Sequence, residues 1–216
     1  ASPSSGSHMW LPLLGLAGMG SAMGVIGYLV PFLMTARLHQ TLAVTGMTFV
    51  ALSLGQAAAS LSGGYLIDRL GGWPMALAGA ILMVCGLALL VPLDVRWSPV
   101  DVGWRVGVFG LGVGLVIGAN QSTVMGLAPR HHGATANAVS AMLRNLSYGL
   151  GAGVAAIILT LAGTEAGLGA VIRLGAGVAL VSVVAAFLMR GVIKNLDELT
   201  HHHVVHAAHH PLHTVK

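Results

Sequence analysis

Charge is scarce in this chain. Asp and Glu contribute 6 residues and Lys and Arg 10, so only 7% of 216 residues are charged. A soluble domain carries about 25%, and a chain with so little cannot clothe a wetted surface of this size. Basic clusters are missing too. The net charge of +4 reflects few acids rather than many bases, and no basic stripe is present to grip nucleic acid. Cysteine is limited to Cys85, so no intrachain disulfide can form. These absences exclude a soluble enzyme, a disordered tail protein and a nucleic-acid binder. No catalytic constellation and no cofactor motif stands out.

What remains is apolar. Hydrophobic residues make up 56% of the chain, with 31 glycines, and the mean hydropathy is +0.85. Glycine at that density harms a soluble helix but lets membrane helices approach closely. Residues 1–9, Ala-Ser-Pro-Ser-Ser-Gly-Ser-His-Met, resemble a cloning scar and are set aside.

A span needs about 20 mostly apolar residues. Six are expected: Trp10–Ala36, Leu42–Ile67, Trp73–Leu93, Val102–Leu127, Ala134–Ala162 and Leu168–Arg190. The apolar runs are continuous rather than alternating, so they are helices and not barrel strands. Six spans place both ends on one side. Arg69, Arg130, Arg190 and Lys194 lie there, against Arg37, Arg96 and Arg105 opposite, a weak bias towards cytoplasmic termini. The first and fourth spans are the richest in glycine and each opens a set of three. That pattern fits two inverted three-helix repeats, residues 10–93 and 94–194, followed by a His-rich soluble tail, 195–216.

Polar residues inside the spans are candidates for function. Arg144 falls about 15 Å into the fifth span, near the midplane. There it costs about 3 kcal/mol unless it meets water or a partner. Asn137, Ser140, Ser147 and Tyr148 share its helical face. The stripe either lines a substrate or gating cavity, or caps carbonyls of a neighbouring broken helix. Asn120 and Gln121 in the fourth span and Gln56 in the second either line the same cavity or cross-link helices. No Asp, Glu or His lies within any of the six spans, so the usual titratable groups of proton coupling are absent from them. Gly110, Gly114 and Gly118 lie on one face, for a fixed helix contact or for one that moves. Pro31 and Pro92 should kink or end their helices. In the tail, His202, His206, His209 and His213 would share one face of a helix and could bind a transition metal; an unstructured tail is the plainer expectation.

Two stretches carry a family resemblance. Gly64-Tyr65-Leu66-Ile67-Asp68-Arg69-Leu70-Gly71 resembles the loop motif Gly-x-Leu-x-Asp-Arg-x-Gly of the major facilitator superfamily, between the second and third spans where that family places it. The basic residues that usually follow are replaced by Gly72 and Trp73. Trp104-Arg105, Gly110, Gly112, Gly114, Pro129, Gly133, Ala136-Asn137, Arg144-Asn145, Gly149 and Gly151 resemble the tenth and eleventh helices of drug:proton antiporters of that superfamily.

The resemblance implies an all-α membrane protein, a six-helix, 3+3 inverted-repeat half bundle. It implies secondary-active export of small molecules or drugs across the bacterial inner membrane. The lipid bilayer, a small-molecule substrate, and a second half or a homodimer would be the partners. The first and fourth helices, and less so the second and fifth, would line the cavity. Gly64, Asp68, Arg69 and Gly71 would stabilise one state of the cycle, with Asp68 at a helix start and Arg69 in an ion-pair cluster. A non-transporting membrane module and a metal carrier using the tail are the competing expectations.

Overall fold

The structure, a computed structural model, describes residues 10–92, 97–127 and 133–208. Among the described residues the chain is helical, without a strand. Its elements are α1 (Trp10–Phe32), a π-helical turn (Leu33–Arg37), α2 (Leu42–Leu70), α3 (Gly72–Ala88), α4 (Pro99–Leu127), α5 (Gly133–Ala162) and α6 (Thr164–Ala208). All but α3 are long and apolar enough to cross a membrane, and α3 is an apolar helix of 17 residues. It is about 26 Å long, slightly short of the hydrocarbon thickness of about 30 Å.

Local chemistry explains the helix ends. Pro31 sits in the last turns of α1, and the widened π turn follows at once. Thr41 caps α2, its Oγ1 accepting from the Val44 N–H at 3.4 Å. The turn between α2 and α3 is made by Gly71 at φ +91°, a backbone conformation that only glycine adopts without strain. Gly163 plays the same part between α5 and α6, at φ +73°. A reciprocal cap opens α4. The Ser98 N–H and hydroxyl donate to Asp101 Oδ2 at 2.9 and 2.7 Å, and the Asp101 N–H donates back to Ser98 Oγ at 3.3 Å. Pro99 occupies the first helical position, where its missing N–H costs nothing.

Two boundaries differ most from expectation. The third helix ends at Ala88 rather than Leu93, closing in turns at Leu90 and Val91 just before Pro92. The sixth does not stop near Arg190; it runs on through Ala208, so the first part of the tail is helical rather than unstructured. No Gly or Pro interrupts residues 192–210, and the first breaker is Pro211.

Helix pairing follows a rule. The most extensive contacts are α2 with α4, α3 with α4, α1 with α5 and α1 with α6, and α3 also packs on α6. Exchanging α1 with α4, α2 with α5 and α3 with α6 returns the same set. In lipid no hydrophobic force draws helices together, so close backbone approach must do it. Glycine provides that approach on both arms. A Cβ on Gly20 would stand 2.6 Å from the Arg144 carbonyl oxygen, and one on Gly24 would strike the Tyr148 carbonyl. Gly151 of α5 meets the Ser21 carbonyl in return. On the other arm Gly110 abuts the Leu52 carbonyl, Gly114 approaches the Gln56 carbonyl at 2.7 Å, and Gly118 meets Ile67. That glycine face of α4 is therefore a packed contact with α2.

The core lies where α1, α3, α4, α5 and α6 converge, around Met19, Ile26, Leu29, Met83, Leu87, Phe109, Val113, Leu168 and Ile172. Much of α2 and α5 remains open: Met47, Val50, Leu54 and Leu61 on one, Met142, Leu146, Leu150 and Ile157 on the other are all exposed.

Candidate functional site

A half-open cavity of about 500 Å³ lies at mid-depth, lined by Gly20, Met23, Gln56, Ile117, Arg144, Asn145 and Tyr148. Its walls come from α1, α2, α4 and α5; α3 and α6 contribute nothing to it. The fifth helix supplies most of the polar wall. The reason is visible in the packing: Gly20 and Gly24 draw α1 against the α5 backbone at Arg144 and Tyr148, which sets both residues beside α1 in the wall they share with Gly20 and Met23.

Arg144 is partly buried. Among the described residues, no hydrogen bond, ion pair or ring contact holds its guanidinium. Tyr148 is 40% exposed, and its hydroxyl lies against Gly27 of α1, in space that a side chain would fill. Gln56 reaches across from α2, its Nε2 3.9 Å from the Met23 sulfur. The lining thus offers a guanidinium, two amides and a phenol, with no acidic side chain among them.

The remaining polar candidates lie elsewhere. Gln121 Nε2 donates to Asn137 Oδ1, which ties α4 to α5. Asn120 is 2% exposed and packs against Gly15 of α1, its Oδ1 buried without a partner. Ser140 is buried and donates to the Ala136 carbonyl of its own helix at 2.8 Å. These four residues stand outside the cavity lining, held in contacts between helices or within their own helix. The same region holds a buried link missed from sequence, in which Ser182 Oγ donates to the Gly15 carbonyl at 2.9 Å.

In the loop motif, Gly71 makes the tight turn described above. Gly64 has open space around its missing side chain. Arg69 is exposed and its guanidinium lies 4.6 Å from the Tyr65 ring centre. Asp68 is helical in backbone, and its side chain lies outside the described residues. Nearby, Arg190 lies 5.3 Å from the Trp73 ring, joining α6 to α3. At the opposite end Arg105 is sandwiched between Trp97 and Trp104, at 4.0 and 4.5 Å. In the tail, His202 and His206 are on helical backbone, and His209 and His213 lie outside the described residues.

Arg173 does not figure among the sequence expectations. Its signal is plain: a cation seven residues into the apolar stretch Ala166–Leu188. It is exposed on α6, away from the cavity.

Comparison with known proteins meets this geometry. The family model described as Major Facilitator Superfamily matches residues 10–203. The chain belongs to that superfamily. It is 27% identical over 130 residues to an "Uncharacterized transporter YebQ" of Escherichia coli (strain K12), covering 60% of this chain and 28% of that protein. It is 28% identical over 106 residues to a "Multidrug transporter protein MdtP" of Bacillus subtilis (strain 168), covering 48% of this chain and 20% of that protein. The chain therefore spans only a fraction of these relatives' length. As a superfamily member with helices long and apolar enough to cross a bilayer, it is a multi-pass membrane protein.

Proposed function

We propose that this chain forms one wall of the translocation path of a secondary-active exporter. The substrate would be a small molecule bearing hydrogen-bond acceptors or a negative group. It would bind in the Arg144 cavity, with Arg144 as the charged contact and Gln56, Asn145 and Tyr148 as polar ones. The carrier works by alternating access and makes or breaks no bond. The observation that carries this reading is a cation at mid-depth in a half-open cavity, with no acidic side chain among the residues that line it. In lipid such a group is costly, and it is retained where it meets water or ligand.

The second wall is a further six-helix bundle, either another half of the same carrier or a second copy of this chain. The open faces of α2 and α5 support this. Gly46 and Gly64 on α2, and Gly149 and Gly153 on α5, have nothing near the place a side chain would take, which leaves room for close helix approach. The swap symmetry of the helix contacts favours two three-helix repeats, consistent with rocking of one bundle against the other. The bacterial relatives point to an inner-membrane location, and the loop motif end, with Arg69 and Arg190, is assigned to the cytoplasmic side.

The test has two readouts. Native mass spectrometry of the chain in nanodiscs measures whether two copies associate. Proteoliposomes then report movement of an anionic dye under a pH gradient. Movement that is lost in Arg144→Leu, while helicity and melting are kept, supports the reading. Movement that is unchanged in Arg144→Leu removes the cavity from the path.

A further inference from the structure

We propose that Arg173 and the notch left by Gly169 form a binding site for a phospholipid phosphate on the outward face of α6. This site stands apart from the transport cavity, to which α6 contributes no residue, and it does not depend on the transport reading.

Arg173 is exposed, and Ala166, Gly177, Leu180 and Val184 are exposed on the same side of α6. Among the described residues the face is otherwise apolar, as a lipid-facing stripe must be. A bare cation there is unfavourable by about 3 kcal/mol at the bilayer centre, less where it can reach the interface. Arg173 lies about 10 Å inside the start of the apolar stretch, at 1.5 Å per residue. Helical side chains lean towards the N-terminus, and this one does: its Nη2 stands 3.4 Å from the place a Cβ on Gly169 would occupy. The guanidinium is thus carried one turn nearer the membrane edge, to about 5 Å inside it. That is just beneath the headgroups of the leaflet at the α5–α6 end, where a cation draws a phosphate down by locally thinning the bilayer.

Among the described residues Arg173 has no hydrogen-bond, ion-pair or ring partner. Its planar fork of donors matches a phosphodiester, which accepts two parallel hydrogen bonds. Gly169 keeps the fork accessible, since a longer side chain there would occupy its resting place. The ligand is a lipid phosphate rather than free phosphate, because the flanking exposed residues are apolar and suited to acyl chains.

The experiment uses the full chain in mild detergent, titrated with dioleoylphosphatidylglycerol and read by native mass spectrometry. Arg173→Leu should weaken the tightest lipid adduct about tenfold, the scale of one lost charge-assisted pair. Gly169→Leu should weaken it with the arginine still in place, and Cys85→Ser, at an exposed position on α3, should leave it unchanged. Inorganic phosphate at equal concentration should not displace the lipid. Unaltered lipid affinity in both Arg173→Leu and Gly169→Leu would overturn the proposal. Displacement by inorganic phosphate would also overturn it, by assigning the arginine to a soluble anion.

Discussion

The α1–α5 crossing makes a sharp prediction, because the same chemical change should have opposite signs at two glycines. In Gly20→Ala the new methyl group would stand 2.6 Å from the Arg144 carbonyl oxygen and 3.1 Å from the Ser147 Cβ. Neither the carbonyl nor the helix that carries it can rotate away, so α5 must shift by about half an ångström or more to restore ordinary contact. Overpacking of this kind costs about 1–3 kcal/mol. For a chain of this length each kcal/mol corresponds to about 2–4 °C in melting temperature. Gly20→Ala should therefore melt roughly 2–12 °C lower. Gly149→Ala adds the same methyl on α5 where nothing lies within 4 Å. It gains only the helix preference of alanine, about 0.5–1 kcal/mol, and should melt slightly higher. Thermal unfolding in detergent, followed by helical circular dichroism, reads both. Equal shifts for the two variants would refute the glycine-mediated contact.

Three further outcomes follow from the same geometry. Gly71→Ala forces a side chain into φ +91° and should lower stability by about 1–2 kcal/mol, measured as a lower melting point with α2 and α3 still helical. Ser98→Ala removes the cap of α4 and should cost about 1 kcal/mol, with Ser98→Thr, which keeps the hydroxyl that donates to Asp101, restoring most of it in the same melt. Ser182→Ala deletes the buried bond to the Gly15 carbonyl and should cost about 1 kcal/mol, whereas Thr160→Ala, which loses only an exposed bond within its own helix, should change the melting point by less than a third of that.

The spans were legible because each is a continuous apolar run, which admits one structure in lipid. Gly110, Gly114 and Gly118 could be read as a face from their spacing, and that face meets α2. Gly112, between them, meets α3 instead, and no spacing rule distinguishes a helix with one neighbour from a helix with two. The cavity was harder to read. Arg144, Tyr148 and Gln56 stand in its wall, while Asn120 and Ser140 turn into helix contacts. Amides and hydroxyls suit both places, and only the crossing of α1 on α5 decides between them. Helix ends followed local chemistry where a proline or capping residue was present, as at Ser98. They were misplaced where a polar stretch without breakers continued α6 to Ala208.

Water, not lipid, should reach the space beside Arg144, and one labelling experiment tests this. Cys85 is exposed, so Cys85→Ser serves as the background. Single cysteines replace Asn145 in the cavity, Phe109 in the core at 0% exposure, and Val184 on the outward face of α6 at 55% exposure. A polar, membrane-impermeant maleimide is applied to the chain in nanodiscs. The account predicts rapid reaction at Asn145→Cys and none at Phe109→Cys or Val184→Cys. If Asn145→Cys is as unreactive as the other two, Arg144 faces no aqueous cavity and the account is wrong.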